Sequence, residues 1–253
     1  MVDSKQRFSS RADAYARYRP GYPAAVADGL RARCGLPDGT AAADIGSGTG
    51  TFTRCLLAAG FRVSAVEPNA AMRLCAESNL GSDPRFRSVD GSAETTGLGA
   101  GSVDLVTAAQ AFHWFDQTQA GIEWRRILRP RGWIALIWNE RDKRCSGFGR
   151  DYQALLLEYA TDPRLVDRDH DQPRRIDRLF EPGGCDRVAY GHRQLLDLDG
   201  LRGRLLSSSY APEAGHPRHA PMMQDLERLY WRHQRDHRVS FEYETRVYFG
   251  QLG

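Results

Sequence analysis

The chain has 253 residues, 41% of them hydrophobic and 26% charged, with a formal net charge of +3. That length suits one large domain, or a core domain with a smaller insertion, and it can bury a substantial core. So small a charge argues against a nucleic-acid protein, which shows a basic face or run. Nearly all the positive charge is arginine, with Lys5 and Lys143 as the lysines, which reads as genome composition. Five cysteines (Cys34, Cys55, Cys75, Cys145, Cys185) lie far apart, odd in number and without Cys-x-x-Cys. Neither a disulfide framework nor a metal cluster is expected, and a reducing, cytoplasmic compartment is. The polar start "MVDSKQRFSS" is no secretory signal, and the apolar run "WIALIW" is too short to span a bilayer, so no membrane association is expected.

Residues 1–22 are polar and aromatic, and Pro20 and Pro23 break any helix there. Val26, Leu30 and Cys34, spaced by four, predict a helix over 23–35 that Gly35 and Pro37 end. Strands and helices then alternate. Strands are expected at 41–45, 62–66, 86–89, 103–108 and, after the turn "RPRG", 132–139. Helices are expected at 51–60, 69–80 and 116–128. Such alternation means βαβ units and a parallel sheet covered on both faces. After residue 140, Phe148, Tyr152, Leu155, Leu156 and Tyr159 mark one helical face. The Asp- and Arg-rich segment 163–178 reads as a solvated loop and 186–198 as extended. Residues 199–209 and 221–237 read as helices, and 239–252 as a final strand.

"DIGSGTG" places Asp44 at the end of the first strand and glycines at 46, 48 and 50; the second strand ends at Glu67. Glycines permit a tight turn and close backbone approach. In a doubly wound sheet the carboxyl ends of adjacent strands share one crevice, where ligands bind. A carboxylate there can accept two hydrogen bonds from a ribose diol, so a nucleoside-containing ligand is expected. The dinucleotide fingerprint G-x-G-x-x-G is not matched, because Thr51 follows Gly50 and the third glycine comes one residue early.

At these residues the chain resembles the class I S-adenosylmethionine-dependent methyltransferases. "ADIGSGTG" resembles that family's first motif and "VSAVEPNAAM" its second. "VDGSAETTGLGAGSVDLVTAAQAFHWFD" and "ILRPRGWIALIWN" resemble the stretches through the third, fourth and fifth strands. "RPGYP", "HWFD" and "YETRVYFGQL" are similar to a small-molecule subgroup related to trans-aconitate methyltransferases. The core match covers residues 10–140. The resemblance implies a Rossmann-like α/β fold, with a seven-stranded, mostly parallel sheet and an antiparallel last strand. The whole chain would be one methyltransferase domain, with a lid and helix at 1–40, a cofactor-binding core at 41–140, and acceptor-pocket helices and final strands at 141–253.

The resemblance also implies S-adenosyl-L-methionine as cofactor. Gly46, Ser47, Gly48 and Gly50 would form the loop under its methionine and ribose, and Asp44 would order that loop or meet the amino group through water. Glu67 would hold the ribose hydroxyls, Pro68 would lie beside the adenine, and Ser92 and Ala93 would meet the adenine edge, although the family often has an acid where Ser92 stands. Gln110 would line the methionine end. Tyr18 and Arg19 would fold over as a lid, with Arg19 facing the cofactor carboxylate, and the aromatics Phe8, Tyr15, Tyr18 and Tyr22 either close over the site or simply pack.

An acceptor that must lose a proton needs a base, and His113, just past the fourth strand, is the candidate. The other reading gives His113 a backbone hydrogen bond while Asp116 caps the next helix. Trp114 and Phe115 would wall an apolar substrate. Asn139, Arg141 and Asp142 either touch substrate or make a polar turn, and His192 and Tyr210 look isolated. The expected partner is a small-molecule acceptor, methylated at oxygen, with no nucleic acid; oligomeric state is not legible. Rival readings are an RNA or other macromolecule methyltransferase using the basic residues at 125–131 and 141–150, a cofactor-binding protein without transfer, and a nicotinamide oxidoreductase.

Overall fold

The short apolar runs of the first half lie side by side. β1 (Ala41–Ile45), β2 (Arg62–Val66), β3 (Phe86–Val89), β4 (Val103–Ala109) and β5 (Leu128–Arg141) form the parallel part of a seven-stranded sheet ordered β3-β2-β1-β4-β5-β7-β6. β7 (Val239–Gln251), last in the chain, runs antiparallel to both β5 and β6 (Asp186–Leu196). The computed structural model describes residues 17–142, 147–166, 173–208 and 210–252. The expectations for Phe8, Tyr15 and Cys145 lie outside these residues, as does the middle of the Asp- and Arg-rich segment.

Alternation along the strands sorts the core into two layers, because successive side chains point to opposite faces. Leu105, Ala135, Ile137 and Val247 meet α1 (Ala24–Cys34) and α2 (Thr51–Ala58) through Val26, Leu30, Phe52 and Leu56. Val106, Ile134, Leu136 and Trp138 meet α4 (Gln117–Ile127) and α6 (Pro173–Leu179) through Trp124, Ile127 and Ile176. Trp124 and Trp138 are fully buried, and truncating either to alanine would cost about 3–5 kcal/mol. A third cluster forms beyond the end of β5. There α5 (Gly147–Tyr159), α7 (Leu198–Leu206) and α8 (His219–His233) pack Tyr152, Leu201, Leu205 and Leu226 against Phe241 and Tyr243 of β7.

Local chemistry sets the helix boundaries. α1 ends where Gly35 turns left-handed (φ 63°). Asn69 caps α3 (Ala70–Leu80) by accepting from the Met72 N–H at 3.2 Å. Asp116 caps α4 by accepting from Thr118 and Gln119, as one reading of the sequence expected.

Two expectations need correction. The "RPRG" turn is instead an irregularity inside β5, which starts at Leu128 opposite Val103. The register shifts before Trp133 pairs with Leu105, and Arg131 takes up the kink with φ 65°. The segment 163–178 is not all solvated loop. It holds a 3₁₀ turn at Pro163–Leu165 and the helix α6, whose Ile176 is fully buried, with Leu179 and Phe180 beside it in the core. Abundant charge masked this short apolar stripe.

Candidate cofactor and active site

Chain order reverses beside β1: β2 and β3 extend the sheet on one side, β4 and β5 on the other. Loops leaving β1 and β4 therefore part in opposite directions and open a crevice at the strands' carboxyl ends. A cleft, open at its mouth, occupies that place. Its floor is the glycine turn after β1, tied to the end of β2 by hydrogen bonds from the Gly46 and Ser47 N–H groups to the Val66 carbonyl at 2.8 and 3.2 Å. Gly46 has φ 66°, and a Cβ there would lie 2.7 Å from the Ala111 methyl and 3.0 Å from the Phe115 ring. Gly46, Ser47 and Gly48 line the cleft. Gly50 does not: at φ 80° it opens α2, and its missing side chain makes room for Leu80 and Ala76 of α3.

Two buried acids stand at the strand ends. Asp44 is 1% exposed; its oxygens accept from the Thr53 hydroxyl at 2.6 Å and the Thr107 hydroxyl at 2.8 Å. Burial pushes its carboxyl up to about 6 against those two hydrogen bonds, with Glu67 adding repulsion. Glu67 accepts from the Gly48 N–H on one oxygen and from the Asn69 N–H on the other, both at 2.9 Å. Burial raises its pKa too, restrained by those N–H groups and by Arg73. The acid thus joins the glycine turn to the cap of α3 across the crevice.

Pro68, Asn69 and Met72 continue the wall from β2 into α3, and Tyr22 and Phe52, in edge-to-face contact at 5.0 Å, close one side. Gln110 follows β4 with φ 55°, a rare backbone state for a residue with a side chain, and its amide donates to the Asn139 carbonyl at 2.9 Å. Ala111, Trp114 and Phe115 form the opposite rim, and Trp114 is 42% exposed. Thr49, Thr51, Phe52 and Met72 were missed in the sequence. Met72 and Asn69 were signalled by "EPNAAM", where a helix cap directly follows the acid.

Several expected site residues are not brought to the cleft wall. Ser92 and Ala93 sit in a turn, where the Ser92 hydroxyl accepts from the Thr95 N–H and Ala93 is 2% exposed in the core. The loop is held there because Thr96 donates from N–H and hydroxyl to Glu123 on α4, whose pKa Arg126 draws down to about 2. Tyr18 packs on Gly203 of α7 and its carbonyl accepts from Gln194. Arg19 donates to the Ser207 carbonyl at the end of α7 at 3.1 Å and is not among the residues that line the cleft. His113 lies on the 3₁₀ turn Phe112–Trp114, half-buried, its ring tilted against Trp114 at 5.0 Å and outside the lining. The segment carrying Tyr18, Arg19 and Tyr22 nevertheless runs over the strand ends, held at Gly21 by the Asn139 amide.

Among the described residues no helix is long and apolar enough to cross a membrane. The family described as "Methyltransferase domain" matches residues 43–136, from inside β1 through most of β5. An uncharacterized methyltransferase of Mycobacterium tuberculosis is 39% identical over 143 residues, 56% of this chain and 56% of the relative. The chain thus spans about half the length of such relatives. The fold is shared with a solved protein of Anaeromyxobacter dehalogenans provisionally described as a type II methyltransferase (TM-score 0.68, 24% identity, 92% of this chain and 98% of that one). It is shared also with one of Anabaena variabilis provisionally described as a methyltransferase of an antibiotic biosynthesis pathway (TM-score 0.58, 23% identity, 88% and 95%). Residues 43–136 thus match a methyltransferase domain, and the structure sets them in a Rossmann-like sheet with a glycine turn and two acids at the strand ends.

Proposed function

We propose that the chain transfers the methyl group of S-adenosylmethionine to a small organic acceptor, at oxygen, by in-line displacement. Glu67 carries this reading. It is a buried carboxylate held by one backbone N–H on each oxygen at the edge of the cleft, so each oxygen keeps a lone pair for one hydroxyl of a ribose diol. The rest of the lining suits the same ligand. The glycine turn lets backbone approach closely, Pro68 and Met72 give an apolar seat for a flat base, and Asp44 offers negative charge toward an amino group.

When bound, the cofactor supplies a methyl group already activated by its sulfonium charge. The chain's residues orient and dry. Gly46, Ser47 and Gly48 would support the methionine and ribose, and Gln110 would meet the methionine end. Tyr22, Phe52, Trp114 and Phe115 would exclude water and fix the line of approach. His113 is our candidate to take the acceptor's proton at an imidazole nitrogen. Its support is its place on the turn whose next residue, Trp114, lines the cleft. Residues 41–140 would bind cofactor, while the segments before and after would cover it and shape the acceptor pocket.

Calorimetric titration with S-adenosylhomocysteine and, separately, NADH tests the proposal. Saturable heat with the first and none with the second is expected. Saturable NADH binding that S-adenosylhomocysteine does not displace would overturn it in favour of a nicotinamide enzyme.

A further inference from the structure

A second group of polar side chains lies at the carboxyl end of β5, on the sheet face that carries α1 and α2 lower down. Asn139 and Arg141 alternate on β5; opposite them on β7 stand Thr245 and Tyr243, and His192 of β6 lies opposite Tyr243. Directly paired residues share a face. α5 and α7 cover that face with Tyr152 and Arg204. The Arg141 guanidinium lies 5.0 Å from the Tyr152 ring centre and donates to Gln153, while its buried Nε has no hydrogen-bond partner. Arg204 is 7% exposed and makes two long contacts, to the Tyr243 hydroxyl and the Ser208 hydroxyl, both 3.4 Å. Among the described residues neither guanidinium has a carboxylate within ion-pair distance. The Tyr152 hydroxyl, fully buried, also has no partner, and burial pushes its pKa up to about 12, so it stays a neutral donor.

Tyr210, which looked isolated in the sequence, belongs to the same group. Burial would raise its hydroxyl, but nearby Arg204, Arg19 and Arg141 outweigh burial and draw it below the usual phenol range. Positive charge thus converges here, and among the described residues no carboxylate lies within ion-pair distance of Arg141 or Arg204. A buried guanidinium without a counter-charge is costly, and donors left unmatched add to the cost. An anion arriving from outside removes both, and the planar fork of arginine matches a carboxylate or phosphate. Arg141 and Tyr210 keep part of their surface open, which gives such a ligand a way in.

We propose that Arg141, Arg204 and Tyr152 form a subsite that anchors an oxyanion, a carboxylate or phosphate, of the methyl acceptor. The two sites share a wall. Asn139, two residues before Arg141, accepts from Gln110 on its carbonyl and donates from its side chain to the Gly21 carbonyl, and Gln110 and Tyr22 line the cofactor cleft. An acceptor gripped by this cluster at one end would present its other end toward the cleft. Assigning the anion to the acceptor rests on the methyl-transfer proposal; the anion site itself does not.

The test is thermal melting in inorganic phosphate and in succinate, each against sodium chloride of equal ionic strength, for wild type, Arg204→Met and Tyr152→Phe. S-adenosylhomocysteine affinity is measured on the same preparations. Wild type should melt higher in at least one of the two anions than in chloride. Both variants should lose about tenfold or more in anion affinity, the scale of a lost charge-assisted hydrogen bond, with cofactor-product affinity unchanged. A shift with phosphate alone assigns a phosphorylated acceptor, one with succinate alone a carboxylate, and one with both an oxyanion of either kind. No anion-specific shift in wild type, or equal shifts in all three proteins, overturns the subsite. If Arg204→Met does not fold, Tyr152→Phe, which removes one oxygen, decides alone. Failure of the methyl-transfer proposal would show separately, as loss of S-adenosylhomocysteine binding with the anion shifts intact.

Discussion

Replacing Glu67 with alanine removes the one carboxylate that joins the glycine turn to the cap of α3. In the folded chain its oxygens accept from Gly48 and Asn69 at 2.9 Å each, and the side chain lies at the cleft edge. On our account the same oxygens receive the two ribose hydroxyls. A hydrogen bond to a charged acceptor contributes about 1.5–3 kcal/mol net, and the desolvation that raises the Glu67 pKa offsets part of the second bond. Counting one such bond, Glu67→Ala should weaken S-adenosylhomocysteine binding roughly 10- to 150-fold by calorimetry. The melting temperature should move little, because losing two local acceptors and relieving a buried charge oppose each other. The 2′-deoxy analogue separates a direct contact from a loosened turn: wild type should discriminate against it and Glu67→Ala should not. Unchanged affinity, or equal discrimination by both proteins, would refute the ribose role.

Gly46→Ala forces a left-handed residue and a 2.7 Å contact with Ala111, so it should lower stability by about 1–2 kcal/mol or more and weaken cofactor binding. Gly50→Ala should destabilise similarly by meeting Leu80 at 2.6 Å, yet leave affinity nearly intact once folded; equal affinity losses would place Gly50 at the ligand. Asp44 is raised from 3.8 to about 6, so the native state holds its proton more tightly than the unfolded chain. Its contribution is therefore most favourable below pH ~4 and falls by about 3 kcal/mol as pH rises to ~6, at 1.36 kcal/mol per pH unit. Denaturant midpoints of Asp44→Asn should fall less than wild type across that window, and parallel profiles would contradict the shift. His113→Ala should slow turnover about 10²- to 10⁴-fold with cofactor affinity intact. Normal turnover with the true acceptor would remove the base role.

What was legible in the sequence is what local chemistry determines. β1, β2 and β3 are short runs bounded by turn residues, and Asp44, Glu67 and Gln110 fall at or just past strand ends, where a doubly wound sheet gathers its residues into one cleft. Spacing alone does not tell which glycine lines the cleft and which, like Gly50, makes room for a neighbouring helix. Ser92 and Ala93 are drawn away by the bond of Thr96 to Glu123, residues 27 apart in the chain. The arginine and tyrosine cluster was hidden for the same reason. Arg141 and Tyr243 become neighbours through the β5–β7 register, and α5 and α7 bring Tyr152 and Arg204 onto them from elsewhere in the chain. α6 was hidden by its own charge, since Ile176 and Leu179 are too few to outweigh the arginines around them in a periodicity count.

A crystal structure of the protein with S-adenosylhomocysteine tests the central claim most directly. The account predicts both ribose hydroxyls on the Glu67 carboxylate, the Gly46–Gly48 backbone beneath the ribose and methionine, and the sulfur facing the rim formed by Gln110 and Trp114. Ligand density absent at saturating concentration, or lying away from Glu67, would contradict it.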